Sequence, residues 1–368
     1  METAPSFVNR NPDNIMLEIK MQMESMLGRM IQPAQFEQLI LQIICYREVL
    51  LLERFNAGMS KLLYQFSHAP ILDYIAALVA VERLPASKAG CLIEFTLVPG
   101  HGNVVIPGGT RVASHDGQAI FETADDMVIA AATNTVEVIA TAQVAGKIAN
   151  GYEVGQVNRI LDPYAYVSGA SNTTVTGGGA DAETDESLRE RIRLAPSQYS
   201  TAGSRASYIF HAKSANPAII DVSVNSLIPG TVYVVPLLFE GGYEQVIEDI
   251  YKTCSAENVR PLTDTVIVSK PKFIHYEIDV EITALTTANL SSVQNGVKKA
   301  LQEYAMAKSQ KLGLDIVRSH ISQVCRIEGV YDVRVVNPSF ADGNVIVEFD
   351  EVPVCDSIKI TIIGTNNG

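Results

Sequence analysis

The sequence predicts a multidomain α+β protein: an N-terminal helical segment, a β-rich middle domain and two C-terminal α+β sandwich units. Three observations predict it. At 368 residues the chain is long for one domain, since domains run to about 50–250 residues. At Pro85 the texture changes from helical apolar spacing to short Val-, Ile- and Thr-rich runs broken by glycine turns. Beyond residue 203 helical and strand patterns follow one another, and a similar order of elements recurs after residue 271. Hydrophobic content of 47% against 19% charged residues supplies ample core and excludes a disordered chain.

Residues 13 to 84 read as helical. Pro33 falls in the first turn of a long helix, where its missing N–H costs nothing. From Phe36 the apolar set is Leu39, Ile40, Ile43, Ile44, Val49, Leu50, Leu51, Leu52 and Phe55. Four consecutive apolar residues on a helix point in four directions about 100° apart, so one amphipathic stripe cannot account for them. Such a helix is covered on several sides, by its own domain or by partner helices; spacing leaves both readings open. Its most apolar stretch, LILQIICYREVLLLERF, is interrupted by Arg47, Glu48, Glu53 and Arg54. That falls short of the roughly 18 uninterrupted apolar residues of a membrane span, and no membrane insertion is expected. The opening METAPSFVNRNPDNIM is polar and lacks the apolar core of a signal peptide. A second helix, LDYIAALVAV at residues 72 to 81, ends before Pro85.

Residues 86 to 176 form the β-rich domain. CLIEFTLV, NVVIP, TRVAS and NTVEVIATA are short runs with turns between them. In the last, Val136, Val138 and Ala140 alternate with Thr135, Glu137 and Ile139, the period of a half-buried strand. Residues 204 to 271 form the first α+β unit. SRASYIFHAKSA is helical, IIDVSVNS and TVYVVPLLF are strands around a turn at Pro229–Gly230, and TDTVIVSK is another strand. Between them Tyr243, Val246, Ile247, Ile250, Tyr251 and Cys254 fall at helical spacing. Residues 272 to 368 form the second unit. KFIHYEIDVEIT, VYDVRVV and SIKITII are strands; Val293, Val297, Ala300, Leu301 and Tyr304 mark one helix, and Val317, Ile321 and Val324 mark another that stops at Gly329.

Residues 177 to 203, GGGADAETDESLRERIRLAPSQYSTAG, join the two halves and carry the densest chemistry. As a calcium loop, Asp181, Glu183 and Asp185 hold alternating positions, but Glu186 stands where glycine is needed and Ile192 where a bidentate Glu is needed. As a phosphate loop, the glycines lead into acids that repel phosphate, and no GKS or GKT follows. The structural reading fits better. Thr184 caps a short helix with Asp185 and Glu186 in its first turn, Asp185 and Arg189 form an i,i+4 pair, and Pro196 closes it. The glycines then serve as a flexible entry.

No catalytic, cofactor-binding or metal site emerges elsewhere. His68, His101, His115, His211, His275 and His320 are scattered without ligand spacing, and His320 reads as a packed or rim residue. Asp125 and Asp126, adjacent on a strand, point to opposite faces and cannot flank one glycosidic bond without a bulge or turn. Cys45, Cys91, Cys254, Cys325 and Cys355 form no CxxC pair, which fits folding in a reducing cytoplasm. A formal net charge of −13 argues against a nucleic-acid partner.

Ordered motifs then carry a resemblance over nearly the whole chain. YREVLLLERFNAGMSKLLYQFSHAPILDYIAALVAVERLPASKA is similar to the N-terminal helical signature of the baseplate J-like family. VVIPGGTRVAS…GQAIFET, GKIANGYEVGQVNRI, the stretch from Gly177 to Ala215, DVSVNSLIPGTVYV, RPLTDTVIV and KLGLDIVRSHI continue it in order. The resemblance implies a structural wedge protein of the tail baseplate in contractile phages or related injection particles, without a cofactor. It implies a wedge built from a second copy of the chain and an I-type tail protein, with neighbouring wedges, the hub and spike, and the sheath as further contacts. Residues 1 to 85 would join a bundle of helices, with Leu39, Ile43, Leu50, Leu51, Leu52 and Phe55 at the partner interface; residues 272 to 368 would pair between wedges. The glycine-rich stretch would then be a hinge-like joint. Two rival functions are a wall-degrading enzyme riding on a baseplate and a self-contained soluble binding module.

Overall fold

Asn11 starts the first helix, α1 (Pro12–Leu27): its side chain accepts from the Asp13 N–H at 2.9 Å, and Pro12 takes the first turn. Gly28, at φ 65°, ends it in a left-handed cap. The next helix, α2 (Phe36–Ser60), begins after Gln35, whose extended backbone (φ −86°, ψ 152°) takes the capping position. Pro33 therefore lies in the turn before α2 and not inside its first turn. A shorter helix, α3 (Ile71–Ala77), follows. The computed structural model describes residues 3–9, 11–131, 133–200, 203–238, 242–256, 259–261, 263–338 and 344–367.

Chain contacts divide the protein into two units: Met1–Arg83 with Thr184–Arg193, and Leu84–Glu183 with Leu194–Gly368. In the first, α1 packs on one stripe of α2. Ile15, Leu41 and Cys45 are buried there, and the Cys45 thiol meets the Pro12 carbonyl at 3.5 Å. Asn56 is buried on the same stripe, accepting from the Phe7 and Val8 N–H groups and donating to the Val8 carbonyl. Three hydrogen bonds offset the cost of hiding that amide.

The second unit opens with β1 (Lys88–Leu97), β2 (Val104–Ile106), β3 (Arg111–Ser114), β4 (Ile120–Thr123), β5 (Met127–Ile129), β6 (Thr135–Ala145), β7 (Val157–Ile160) and β8 (Val167–Asn172). Six of them form one sheet in the order β7-β3-β4-β6-β1-β8, with β2 and β5 as a separate ribbon. The terminal strands β7 and β8 come together: Val157 N–H donates to the Asn172 side chain at 2.8 Å, so the sheet curls into a barrel. Ile93, Phe95, Ile106, Val112, Phe121 and Ala140 fill it. As the alternation predicts, Val138 and Ala140 point into this core, and Ile139 is exposed.

The chain then runs through α4 (Asp185–Leu194), a 3-10 turn at Ala195–Tyr199, α5 (Arg205–Ala215), β9 (Ile219–Ile228), β10 (Thr231–Leu238), α6 (Tyr243–Cys254) and β11 (Thr265–Val268). The sheet order is β11-β10-β9, with α5 and α6 on it, and Tyr243, Val246, Ile250 and Cys254 supply the buried stripe of α6. The last elements are β12 (Lys272–Leu285), α7 (Leu290–Ser309), β13 (Ile316–Val317), α8 (Arg318–Cys325), β14 (Val330–Asn337), β15 (Asn344–Val345) and β16 (Glu351–Asn366). Their main sheet runs β14-β12-β16, and Val293, Val297 and Leu301 of α7 pack into its core beside Ile278, Val280 and Ile282. The fold is therefore the α+β multidomain arrangement the sequence predicts.

The glycine strip departs from expectation. Gly177 and Gly90 exchange backbone hydrogen bonds at 2.8 and 3.1 Å, and Ala180 does the same with Ser87. Gly179 is clasped by the Asn150 side-chain amide in both directions, at 2.8 and 3.0 Å. The three glycines are buried and belong to the barrel's edge, so the expected flexible entry is a fixed strip. Gly179 requires small size, and Gly178, at φ 80°, requires the left-handed backbone that glycine adopts freely.

Candidate assembly interface

The helical unit presents a wide uncovered side. Of the six positions expected at a partner interface, Leu39, Ile43, Leu51 and Phe55 are 57%, 65%, 66% and 50% exposed, while Leu50 and Leu52 are half-buried. Ile43, Leu50 and Leu51 line one surface groove of about 440 Å³ with Ile44, Arg47, Glu48 and Arg54; Leu39, Leu52 and Phe55 lie outside it. Leu41 and Cys45, which face α1, share the apolar character of their neighbours, so composition could not tell covered from uncovered positions. Leu17, Met21, Met26 and Met30, which the spacing did not single out, are exposed as well. Unbranched, polarizable Met side chains adapt to varied surfaces, and their recurrence between residues 21 and 30 was the available signal.

The acidic stretch is divided between the two units, and its helix α4 belongs to the helical one. Thr184 Oγ1 accepts from the Ser187 N–H at 3.3 Å, capping α4 as expected. Asp185 does not pair with Arg189. Its Oδ1 accepts from Arg83 Nη2 at 2.7 Å, and Arg83 also bonds Asp73 through Nε at 2.8 Å. Arg189 turns instead to Glu186 at 3.1 Å and to the Ser67 carbonyl at 2.8 Å. A planar guanidinium fork that reaches two carboxylates beats an exposed i,i+4 pair, which contributes only about 0.3–0.5 kcal/mol. The Arg83 bond, helped by the Ala69 N–H and His68, holds the Asp185 carboxyl below the usual range. Asp181 faces Lys147 at 4.0 Å and the Glu183 carboxylate accepts from the Leu84 N–H at 2.9 Å, so the three acids of the would-be calcium loop go to three different partners.

Within the second unit, the glycine strip meets the entrance of α6. A methyl group on Gly242, at φ 85°, would lie 2.1 Å from the Gly177 carbonyl carbon, and one on Gly179 would lie 2.5 Å from the Gly146 oxygen. Neither site has room for a side chain, and the obstacles are backbone. Ser87 bridges the same junction, donating to the Gly178 carbonyl at 2.9 Å and lying 3.3 Å from the Asn216 side chain.

Other candidates stay dispersed. Asp125 and Asp126 lie in the bend after β4 and not on a strand, because Asp126 accepts from the Gly108 N–H at 2.7 Å and so ties two turns together. His320 sits exposed on α8, the rim placement. Burial pushes the Cys91 and Cys254 thiols up to about 12 and Cys325 up to about 11. Among the described residues no group of three His, Cys, Asp or Glu could hold a metal ion, and no helix is long and apolar enough to cross a membrane.

The architecture defines a class: a modular α+β protein, with a barrel and two α+β units following a helical segment. Comparison with known proteins narrows it. Residues 92–179 match the baseplate J-like protein barrel domain, residues 200–270 the baseplate J-like central domain and residues 276–361 the baseplate J-like protein C-terminal domain. Together these matches take in more than half of the chain, which belongs to the baseplate J-like family of phage-tail structural proteins. Baseplate protein J of Escherichia phage P2 is 27% identical over 203 residues, 54% of this chain and 66% of that protein's length. A chain of the 6-fold symmetrised cryo-EM baseplate of the anti-feeding prophage aligns over 94% of this chain and 92% of its own, at 13% identity and a TM-score of 0.38.

Proposed function

We propose that the chain is a wedge component of the baseplate of a contractile phage tail or a phage-tail-like injection particle. Residues 1–85 act as the bundle-forming segment and residues 272–368 as the end that pairs between wedges, with the barrel and central unit between them. The observation that carries this is the uncovered apolar side of α2 in a chain of baseplate lineage. Burying an exposed Leu or Ile side chain contributes about 1.5–3 kcal/mol, and Leu39, Ile43, Leu51 and Phe55 together supply an anchor row for other helices. The partners are a second copy and an I-type tail protein in the wedge, then neighbouring wedges, hub, spike and sheath. Folding takes place in the bacterial cytoplasm before assembly.

In such a ring many moderate interfaces are multiplied by symmetry, so that loosening a few releases the whole. Co-expression with an I-type tail protein tests the reading. A stable complex that Leu51→Asp abolishes, with the free chain still folded, supports it. A chain that forms no complex with any tail component overturns it.

A further inference from the structure

The last strand leaves one sheet unfinished. β12 pairs with β16 along its length, from Lys272↔Glu351 to Leu285↔Asn366, and the order β14-β12-β16 leaves the far side of β16 as an edge. From Ser357 to Thr365, the ladder with β12 is the strand's only backbone pairing among the described residues. Exposed edges are normally blunted by proline, inward charge or cover. This segment has no proline, and its one charge, Lys359, is turned to Asp279 at 3.2 Å.

The side chains are unfinished in the same place. Ile358, Ile360 and Ile362 stand in register with Ile278, Val280 and Ile282 of the core row. The β12 residues are fully buried, yet the three β16 isoleucines are only half-buried. Register shifts at Tyr276/Glu277 and Ile282/Thr283 bound a regular segment from Ser357 to Ile362. Its sequence, Ile358-Lys359-Ile360-Thr361-Ile362, is symmetric in character about Ile360.

We infer that β16 pairs antiparallel with β16 of a second copy across a two-fold axis at Ile360, joining two three-stranded sheets into one. Directly opposed residues of an antiparallel pair share a face. Ile358 then opposes the second copy's Ile362, Ile360 opposes itself, and Lys359 opposes Thr361. No like charges meet, and each core row is continued by the other. An isologous contact of this kind needs one self-complementary patch, and open main-chain groups supply its affinity. The inference deepens the proposed pairing role of residues 272–368 and rests on that reading for its place in the particle.

The test uses the full chain carrying Leu51→Asp, so that association through α2 is removed and the two readings fail separately. Sedimentation should show a dimer that Thr361→Lys weakens about tenfold or more, because Lys359 then faces a like charge twice, while Thr361→Ser retains it. Thr361 is exposed, so neither change disturbs the core. Ile360→Cys should form a dimer-linking disulfide under mild oxidation. A chain that stays monomeric, equal association of the Lys and Ser variants, or capture of a different tail protein by Ile360→Cys in assembled particles would each overturn it.

Discussion

The apolar side of α2 and the strip Gly177–Gly179 are both regions whose composition stands out in the sequence, one for excess bulk and the other for lack of it. On α2 the bulk is left over: α1 covers Leu41 and Cys45, and Leu39, Ile43 and Leu51 remain uncovered. At the strip the missing bulk is used up, because Gly90, Gly146 and Gly242 bring backbone to within contact of the three glycines. The contrast separates two kinds of constraint. The exposed residues on α2 have no cover within their own unit, whereas the glycines answer to atoms already present.

Three substitutions and one change of pH sharpen that contrast, ordered by their expected effect on the chain's own stability. Gly242→Val should be the most damaging. Its side chain would overlap Gly177 backbone at a positive φ, so a loss of about 3 kcal/mol or more is expected, read as a fall in the thermal midpoint of the second unit. Leu41→Ala should cost about 2–5 kcal/mol, confined to the helical unit and visible as faster amide exchange in α1 and α2. If its cost matched that of Leu51→Ala, the division of α2 into two sides would be wrong.

Acidification comes third. Because the Asp185 carboxyl is held below its usual range, its contribution is present above the unfolded-state value and is lost as pH falls through the depressed folded-state value. Exchange protection of α4 should drop over that acid window, and Asp185→Asn should remove the dependence while lowering protection at neutral pH. Smallest on stability is Leu51→Asp, expected within about 0.5 kcal/mol of wild type because the site is exposed. It should nonetheless give the greatest loss of complex formation, measured by co-purification.

What could be read in the sequence was local. The spacing of Val246, Ile250 and Cys254 gave α6, and the alternation around Val138 gave β6, because each pattern is complete within one element. Three features were not legible for one shared reason: their partners lie far along the chain. Asp185 meets Arg83, 102 residues away, and no spacing rule connects them. Gly242 has no room for a side chain because Gly177 backbone lies beside it, which the run of glycines does not announce. Leu41 and Leu39 differ only in whether α1 lies above them. Crowding pointed to α2 as a helix with more apolar surface than one stripe; four of the six positions it named are exposed, Leu50 and Leu52 are half-buried, and the exposed Met21 and Met26 of α1 gave no such signal.

The division of the chain has a covalent corollary. The backbone passes from one unit to the other after Arg83, again after Glu183 and a third time after Arg193. Leu84 and Glu183 exchange hydrogen bonds within one unit, and Arg83 donates to Asp185 within the other. The helical unit is thus discontinuous in sequence: residues 84–183 separate α4 from the helices it belongs with. A fragment cut after Arg83 would therefore lose α4, and with it the Asp185 carboxylate that Arg83 holds.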